Sequence, residues 1–357
     1  MDEKIISFPH LGDYHIPIEY LLSHITDATI LPPPPITKKT LEIGTKHSPD
    51  FVCIPFKYNL GNYIEALDKG ANIIVQAGGG CRFGYYGEIQ EKILRDMGYQ
   101  FEFITLLDSG KTNLKKLYHK VKQVNPNCSL FKFLYHFFIT IRMVNYMDNI
   151  DKYIRENIGF EVVKNSFLKL KRKMLRDFKQ TTGIIDLNKK YKYYKKKFQS
   201  LKINKPNDCL KIGIIGELYT AMEPSSTYYL EQELAKMNIQ ITRFTNVTYL
   251  LFQKRFHLPK MLRSIKEYDK YNLGADGSDN VYRAKLLAKK GYDGLIHTKP
   301  FGCTPEVAAI PLLRKVSNDY HIPIMYFSFD SIDSEVGLKT RLEAFYDMLM
   351  MKRRKQL

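Results

Sequence analysis

Three of the five cysteines in this 357-residue chain stand where chemistry is usually done. Cys53 falls in FVCIPFK, Cys81 in QAGGGCRFGYYGE and Cys303 in HTKPFGCTPE. Cys53 closes a strand expected over Phe51 to Ile54. Cys81 closes the glycine-rich turn after Asn72 to Gln76, and Cys303 follows Gly294 to His297. Cys128 and Cys209 differ, one lying in a helical region and the other immediately before a strand. Taken singly, a free cysteine is more often a small buried hydrophobe than a ligand. Three at such turns, beside Gly78, Gly79, Gly80, Gly84 and Gly302, bring in a thiolate-held metal site as the second reading, and with no CxxC the spacing alone leaves burial and ligation both open. Iron-sulfur groups need soft thiolates, and glycine backbone can approach closely and donate amide hydrogen bonds to sulfur.

The elements that must position these residues follow from periodicity. Lys4 to Phe8, Ala28 to Leu31, Phe51 to Ile54, Asn72 to Gln76 and Phe101 to Thr105 read as strands, with helices such as Ile16 to Ile25 and Gly87 to Met97 between them. A second series opens with Leu210 to Gly216 and continues through Ile239 to Thr242, Gly294 to His297 and Ile322 to Phe327. Helices are expected over Ser225 to Lys236, Ser278 to Lys290, Pro305 to Ser317 and Gly337 to Met350. Such alternation predicts an α/β fold of two Rossmann-like parallel-sheet domains, with the loops at the carboxyl ends of the strands gathered on one edge. Between the two series the chain is Lys-rich and aromatic with no strand. It reads as a helical insertion, with apolar stripes at Phe133, Phe137, Ile141, Val144 and at Phe167, Leu170, Met174, Phe178. The expected domains are residues 1–112, carrying Cys53 and Cys81; 113–204, the basic insertion; and 205–357, carrying Cys303.

Composition narrows the classes. A hydrophobic content of 44% with 25 Tyr and 21 Phe supports packed cores and excludes a disordered chain. The formal charge of +18 is concentrated between Asp151 and Ser200, where fifteen Lys and Arg face five Asp and Glu. The first reading is a solvated helical surface; docking of an acidic partner and nucleic-acid binding are the alternatives, and no recognised nucleic-acid module accompanies the charge. The stretch Phe131 to Met147 is broken by Lys132, His136, Arg142 and Asn145 and falls short of a bilayer span. MDEKIISF starts acidic and runs straight into a strand, so no secretory signal is expected and the protein is placed in the cytoplasm with reduced thiols.

FVCIPFK, GGGCRFGYYGE, IGIIGELY, KPFGCTPE, the downstream IPIMYFSFDS and the RLEAF helix together resemble the acyl-CoA dehydratase activase-related proteins, a family homologous to the 2-hydroxyacyl-CoA dehydratase subunits. The resemblance covers both α/β segments and leaves the basic insertion unmatched. It implies two Rossmann-like domains per subunit, with Cys53, Cys81 and Cys303 as ligands of a 4Fe-4S cluster in the cleft between them. It also implies an iron open to water or substrate, one-electron reduction by an ATP-hydrolysing activase or another low-potential donor, and an acyl-CoA thioester as substrate. A second, different subunit and a separate CoA-binding motif are not visible. A non-catalytic accessory or electron-relay role, a homo-oligomer and a basic nucleic-acid-binding role remain as alternatives.

Beside the proposed ligands, Lys57, Gly80, Arg82 and Gly302 are candidates for cofactor binding. The two cations could balance a thiolate-bound cluster or a CoA phosphate, or be surface charges beside loops. Glu217, at the end of IGIIG, and Glu306, three residues after Cys303, could accept a proton or cap a helix. For Glu306 the cap region is favoured, because Pro305 suits a first helical turn.

Overall fold

The structure is a computed structural model that describes residues 3–76, 78, 81, 83–106, 113–331 and 334–355. Alternation of strand and helix produces two four-stranded parallel sheets. The first is built from β1 (Ile5–Ser7), β2 (Thr29–Ile30), β3 (Ile73–Gln76) and β4 (Glu102–Thr105). Its strands are joined through α1 (His15–Ile25), α2 (Lys38–His47), α3 (Ile54–Asp68) and α4 (Phe83–Asp96). Then come α5 (Leu114–Val124), α6 (Leu130–Asn157), α7 (Ser166–Lys179) and α8 (Ile184–Gln199), the helical stretch expected from the sequence.

The second sheet follows the same plan. It contains β5 (Lys211–Gly216), α9 (Leu218–Met222), α10 (Leu230–Lys236), β6 (Gln240–Arg243), a π-helical turn (Tyr249–Gln253) and α11 (Lys254–Ser264). The chain then runs through α12 (Gly277–Lys289), β7 (Gly294–Pro300), α13 (Thr304–Tyr320), β8 (Ile324–Phe329) and α14 (Glu335–Arg354). The chain divides into two compact units, Met1–Val144 with Leu175–Lys190, and Asn145–Met174 with Tyr191–Leu357.

Strand order is β2-β1-β3-β4 in the first sheet and β6-β5-β7-β8 in the second. In each, the chain leaves the first strand toward one side and the third strand toward the other. The topological switch point, where ligands of open α/β sheets bind, therefore lies between β1 and β3 and between β5 and β7. Register is fixed by apolar residues: Ile6 pairs with Ile73 in the first unit, and Ile212 with Ile241 in the second. Ile6, Ile73, Val75 and Ile104 form one core cluster; Ile215, Val281, Leu287, Leu295 and Leu313 form another. In the helical stretch, Phe133, Phe167, Met174 and Phe178 are fully buried, as their spacing predicts.

One expectation is corrected. Phe51 to Ile54 is not a strand: Cys53 is the N-cap of α3, and Phe51 is 96% exposed. The reason is Pro55, which lacks an N–H for a sheet ladder and is pre-set for the first helical turn. The helix that follows is held by a close crossing with α2. A Cβ at Gly44 would lie 1.8 Å from the Lys57 carbonyl oxygen, and one at Gly61 would lie 2.0 Å from that of Thr40. Glycine at both positions lets the two backbones touch and fixes the start of α3.

Candidate functional site

In the first unit the start of α4 gathers two thiols. Cys53 Sγ lies 2.8 Å from the Tyr86 hydroxyl, and Cys81 Sγ accepts the Phe83 N–H at 3.5 Å. Main-chain bonds tie both residues to the helices they precede: Phe56 N–H donates to the Cys53 carbonyl at 2.9 Å and Gly84 N–H to the Cys81 carbonyl at 3.0 Å. Tyr86 is itself clamped edge-on by Phe56, at 4.9 Å between ring centroids, and by Phe83 at 5.0 Å. Both cysteines are half-buried, as is Lys57, one turn into α3. Gly80 and Arg82 lie outside the described residues.

In the second unit Cys303 is the N-cap of α13, with proline in the first turn. Its carbonyl accepts Val307 N–H at 2.9 Å. Gly302 before it has φ +72°, a left-handed conformation that favours glycine. Cys81 and Cys303 thus occupy the same place in two sheets of identical order, the turn from the third strand into the next helix. The helix before the third strand begins at Cys53 in one unit and at Asp276 in the other, since α3 leads into β3 and α12 into β7.

Behind Cys303 runs a buried polar network at the β5–β7 switch point. Glu306 is 1% exposed and His297 0%, with Glu306 Oε2 2.6 Å from His297 Nε2. Asn280 Nδ2 donates to both Glu306 oxygens at 2.9 Å, and Asn280 Oδ1 accepts Gly216 N–H at 2.9 Å. Glu306 therefore sits in the first turn of α13, as the cap-region reading expects, but its carboxylate serves His297 and Asn280. Glu217 caps α9, accepting the Tyr219 and Thr220 N–H groups at 3.0 Å each. Burial, with Asp276 and Glu306 nearby, pushes its carboxyl up to about 7. Lys299 is buried, which pulls its ammonium below the usual lysine range while Cys303 and Glu306 pull the other way. Asp276 accepts Leu218 N–H at 3.2 Å and pairs with Lys254 at 2.5 Å.

His297, Asn280, Asp276 and Lys299 were not singled out by sequence reasoning. The available signal was the polar triplet HTK inside the otherwise apolar strand GLIHTKP, six residues ahead of Cys303. Cys128 and Cys209 are buried in packing positions, Cys128 in a cluster with Ile25, Val121 and Phe133. Among the described residues no group of three or more His, Cys, Asp or Glu stands ready to hold a metal ion.

Residues 276–349 match the family model of the 2-hydroxyglutaryl-CoA dehydratase D-component. This segment is homologous to the 2-hydroxyacyl-CoA dehydratase subunits. The dehydratase match begins at Asp276 and spans α12, β7, α13, β8 and most of α14, so it contains Asn280, His297, Lys299, Cys303 and Glu306. Cys53 and Cys81 lie outside it. No curated protein matches the sequence. Among the described residues no helix is long and apolar enough to cross a membrane.

The donor set suits an iron-sulfur group in kind. All three thiols stand at or just before helix starts, where free N–H groups and the helix dipole favour anionic sulfur. Each is only partly buried, whereas Cys128 and Cys209 are enclosed.

Proposed function

We propose that the chain is a dehydratase-type iron-sulfur protein in which Cys53, Cys81 and Cys303 hold a 4Fe-4S cluster. It would act in low-potential electron transfer or reductive chemistry on an acyl-CoA-type thioester. The observation that carries this reading is the equivalence of Cys81 and Cys303 in the two sheets, with Cys303 inside the dehydratase-matching segment. The cluster, when bound, would supply single electrons and an open iron that polarises a thioester oxygen.

The remaining roles fall to side chains already placed. Lys299 offsets negative charge on the Cys303 sulfur. The bonds from Asn280 to Glu306 and to Gly216 N–H fix the turns after β5 and β7 against each other, which keeps Cys303 at a defined height above the sheet edge. Glu217, held near 7, can keep or release a proton at its carboxyl around neutral pH, as a general acid or base must. Lys57, Gly302 and, by sequence, Gly80 and Arg82 would line the cluster. An ATP-hydrolysing activase or an equivalent low-potential donor is the proposed electron source.

Serine at each cysteine in turn tests the assignment in anaerobically purified protein. Serine at Cys53, Cys81 or Cys303 should cut iron and sulfide content strongly, while serine at Cys128 or Cys209 should leave it unchanged. Equal iron in all five variants would mean that the ligands are misassigned.

A further inference from the structure

A cavity of about 320 Å3 opens in the second unit, beyond the carboxyl end of the edge strand β6. The dehydratase reading does not use it. Its walls come from the second half of α6, from the chain leaving β6, from the π-helical turn with α11, and from α12. Carboxyl ends of parallel strands are where α/β sheets hold ligands, and irregular π turns recur at functional sites.

The lining is chemically lopsided. Lys152, His257 and Lys260 stand exposed at it, and no acidic partner for either lysine is found among the described residues. Arg243 and Arg283 lie deeper, held by Glu231 and Asp279 at 3.2 Å each. A single carboxylate, Asp148, is among the lining residues, and it accepts the Thr248 N–H at 2.9 Å. The Arg283 guanidinium lies 4.4 Å from the Phe244 ring centroid and 4.6 Å from that of Tyr249, which fixes an aromatic wall beside the positive charge. Thr248 lines the same cavity, is 8% exposed, and its Oγ1 has no hydrogen-bond partner among the described residues. A buried hydroxyl left without a partner is costly, and a polar ligand atom would satisfy it.

Tyr282 also lines the cavity, its ring centroid 5.3 Å from the Arg283 guanidinium. We infer that this cavity binds a nucleoside phosphate, with Lys152 and Lys260 holding the phosphates and the rings of Phe244 and Tyr282 holding the base. The volume is in the range of small-molecule sites. Exposed lysines recognise phosphate as point charges, while flat rings select the base by stacking. Asn145, Asn149 and Asn246 add amide groups that can read a base edge.

Calorimetric titration of the full chain with ADP, inorganic pyrophosphate and adenosine tests the site, with iron content measured on the same preparation because binding here requires no cluster. ADP should bind saturably and more tightly than either fragment. The double substitution Lys152→Glu and Lys260→Glu should weaken ADP by about tenfold or more, the scale of a lost charge-assisted hydrogen bond. Both lysines are exposed, so the variant should melt as the parent does. Tyr282→Ala should weaken ADP and leave pyrophosphate unchanged. Coenzyme A binding tighter than ADP would make the nucleotide the end of a larger cofactor, and weaker or equal binding a free nucleotide; either supports the site. Absence of saturable ADP binding at millimolar concentration, pyrophosphate equal to ADP, or indifference to the charge reversal would overturn it.

Discussion

His297 Nε2 and Glu306 Oε2 meet at 2.6 Å in the interior of the second unit, and neither side chain reaches solvent. With the carboxylate accepting, the proton rests on Nε2 and the opposite ring nitrogen, Nδ1, finds no partner among the described residues. The pair joins the strand β7 to the first turn of α13, so Cys303 is held between two ends of one hydrogen bond.

Removing the acceptor should therefore be costly. Glu306→Leu leaves His297 Nε2 and Asn280 Nδ2 without their acceptor, and each orphaned buried group costs about 1–3 kcal/mol. The urea midpoint should fall with an unchanged slope. Glu306→Gln, which keeps an acceptor oxygen, should lose less.

Glu217 predicts a pH dependence. Its carboxyl is raised in the fold from an ordinary value of 4.5 to about 7, so the folded protein holds a proton that the unfolded chain has released. Stability contributed by this group is present below about 4.5 and is lost as pH rises toward 7. Melting temperatures across that window should decline in the parent relative to Glu217→Gln, which has nothing to ionise there. Parallel curves would remove Glu217 as a proton-holding residue.

The Gly44–Gly61 crossing should control Cys53. Alanine at Gly44 meets the Lys57 carbonyl and alanine at Gly61 that of Thr40, so α2 and α3 must separate. Overpacking of this kind typically costs about 1–3 kcal/mol. Cys53 should then react faster with a thiol reagent, while enclosed Cys128 should not change.

Much of the fold was legible because burial in a parallel sheet leaves short apolar runs between amphipathic helices, as at Leu210 to Gly216 and Gly294 to His297. The segment around Cys53 was not, because an aromatic and β-branched run looks like a strand until Pro55 is given its weight. Glu217 and Glu306 could be picked out as carboxylates beside strand ends. Their partners could not: Asn280 and His297 meet Glu306 from 26 and 9 residues away, and no local pattern marks such a contact. The cavity beside β6 was invisible for the same reason, since its lining is drawn from four separate stretches of chain. Lys195, Lys196 and Lys197 of α8 are exposed between buried Tyr194 and Phe198, the amphipathic pattern of a surface helix.

Iron and acid-labile sulfide content of the full chain purified without oxygen, with its absorption spectrum before and after reduction, decides whether the thiolates hold a cluster. About four iron and four sulfide per chain are expected for a 4Fe-4S group, with a broad visible absorption that bleaches on reduction. A colourless protein without iron or sulfide, after anaerobic purification and reconstitution with both, would show that these cysteines hold no cluster.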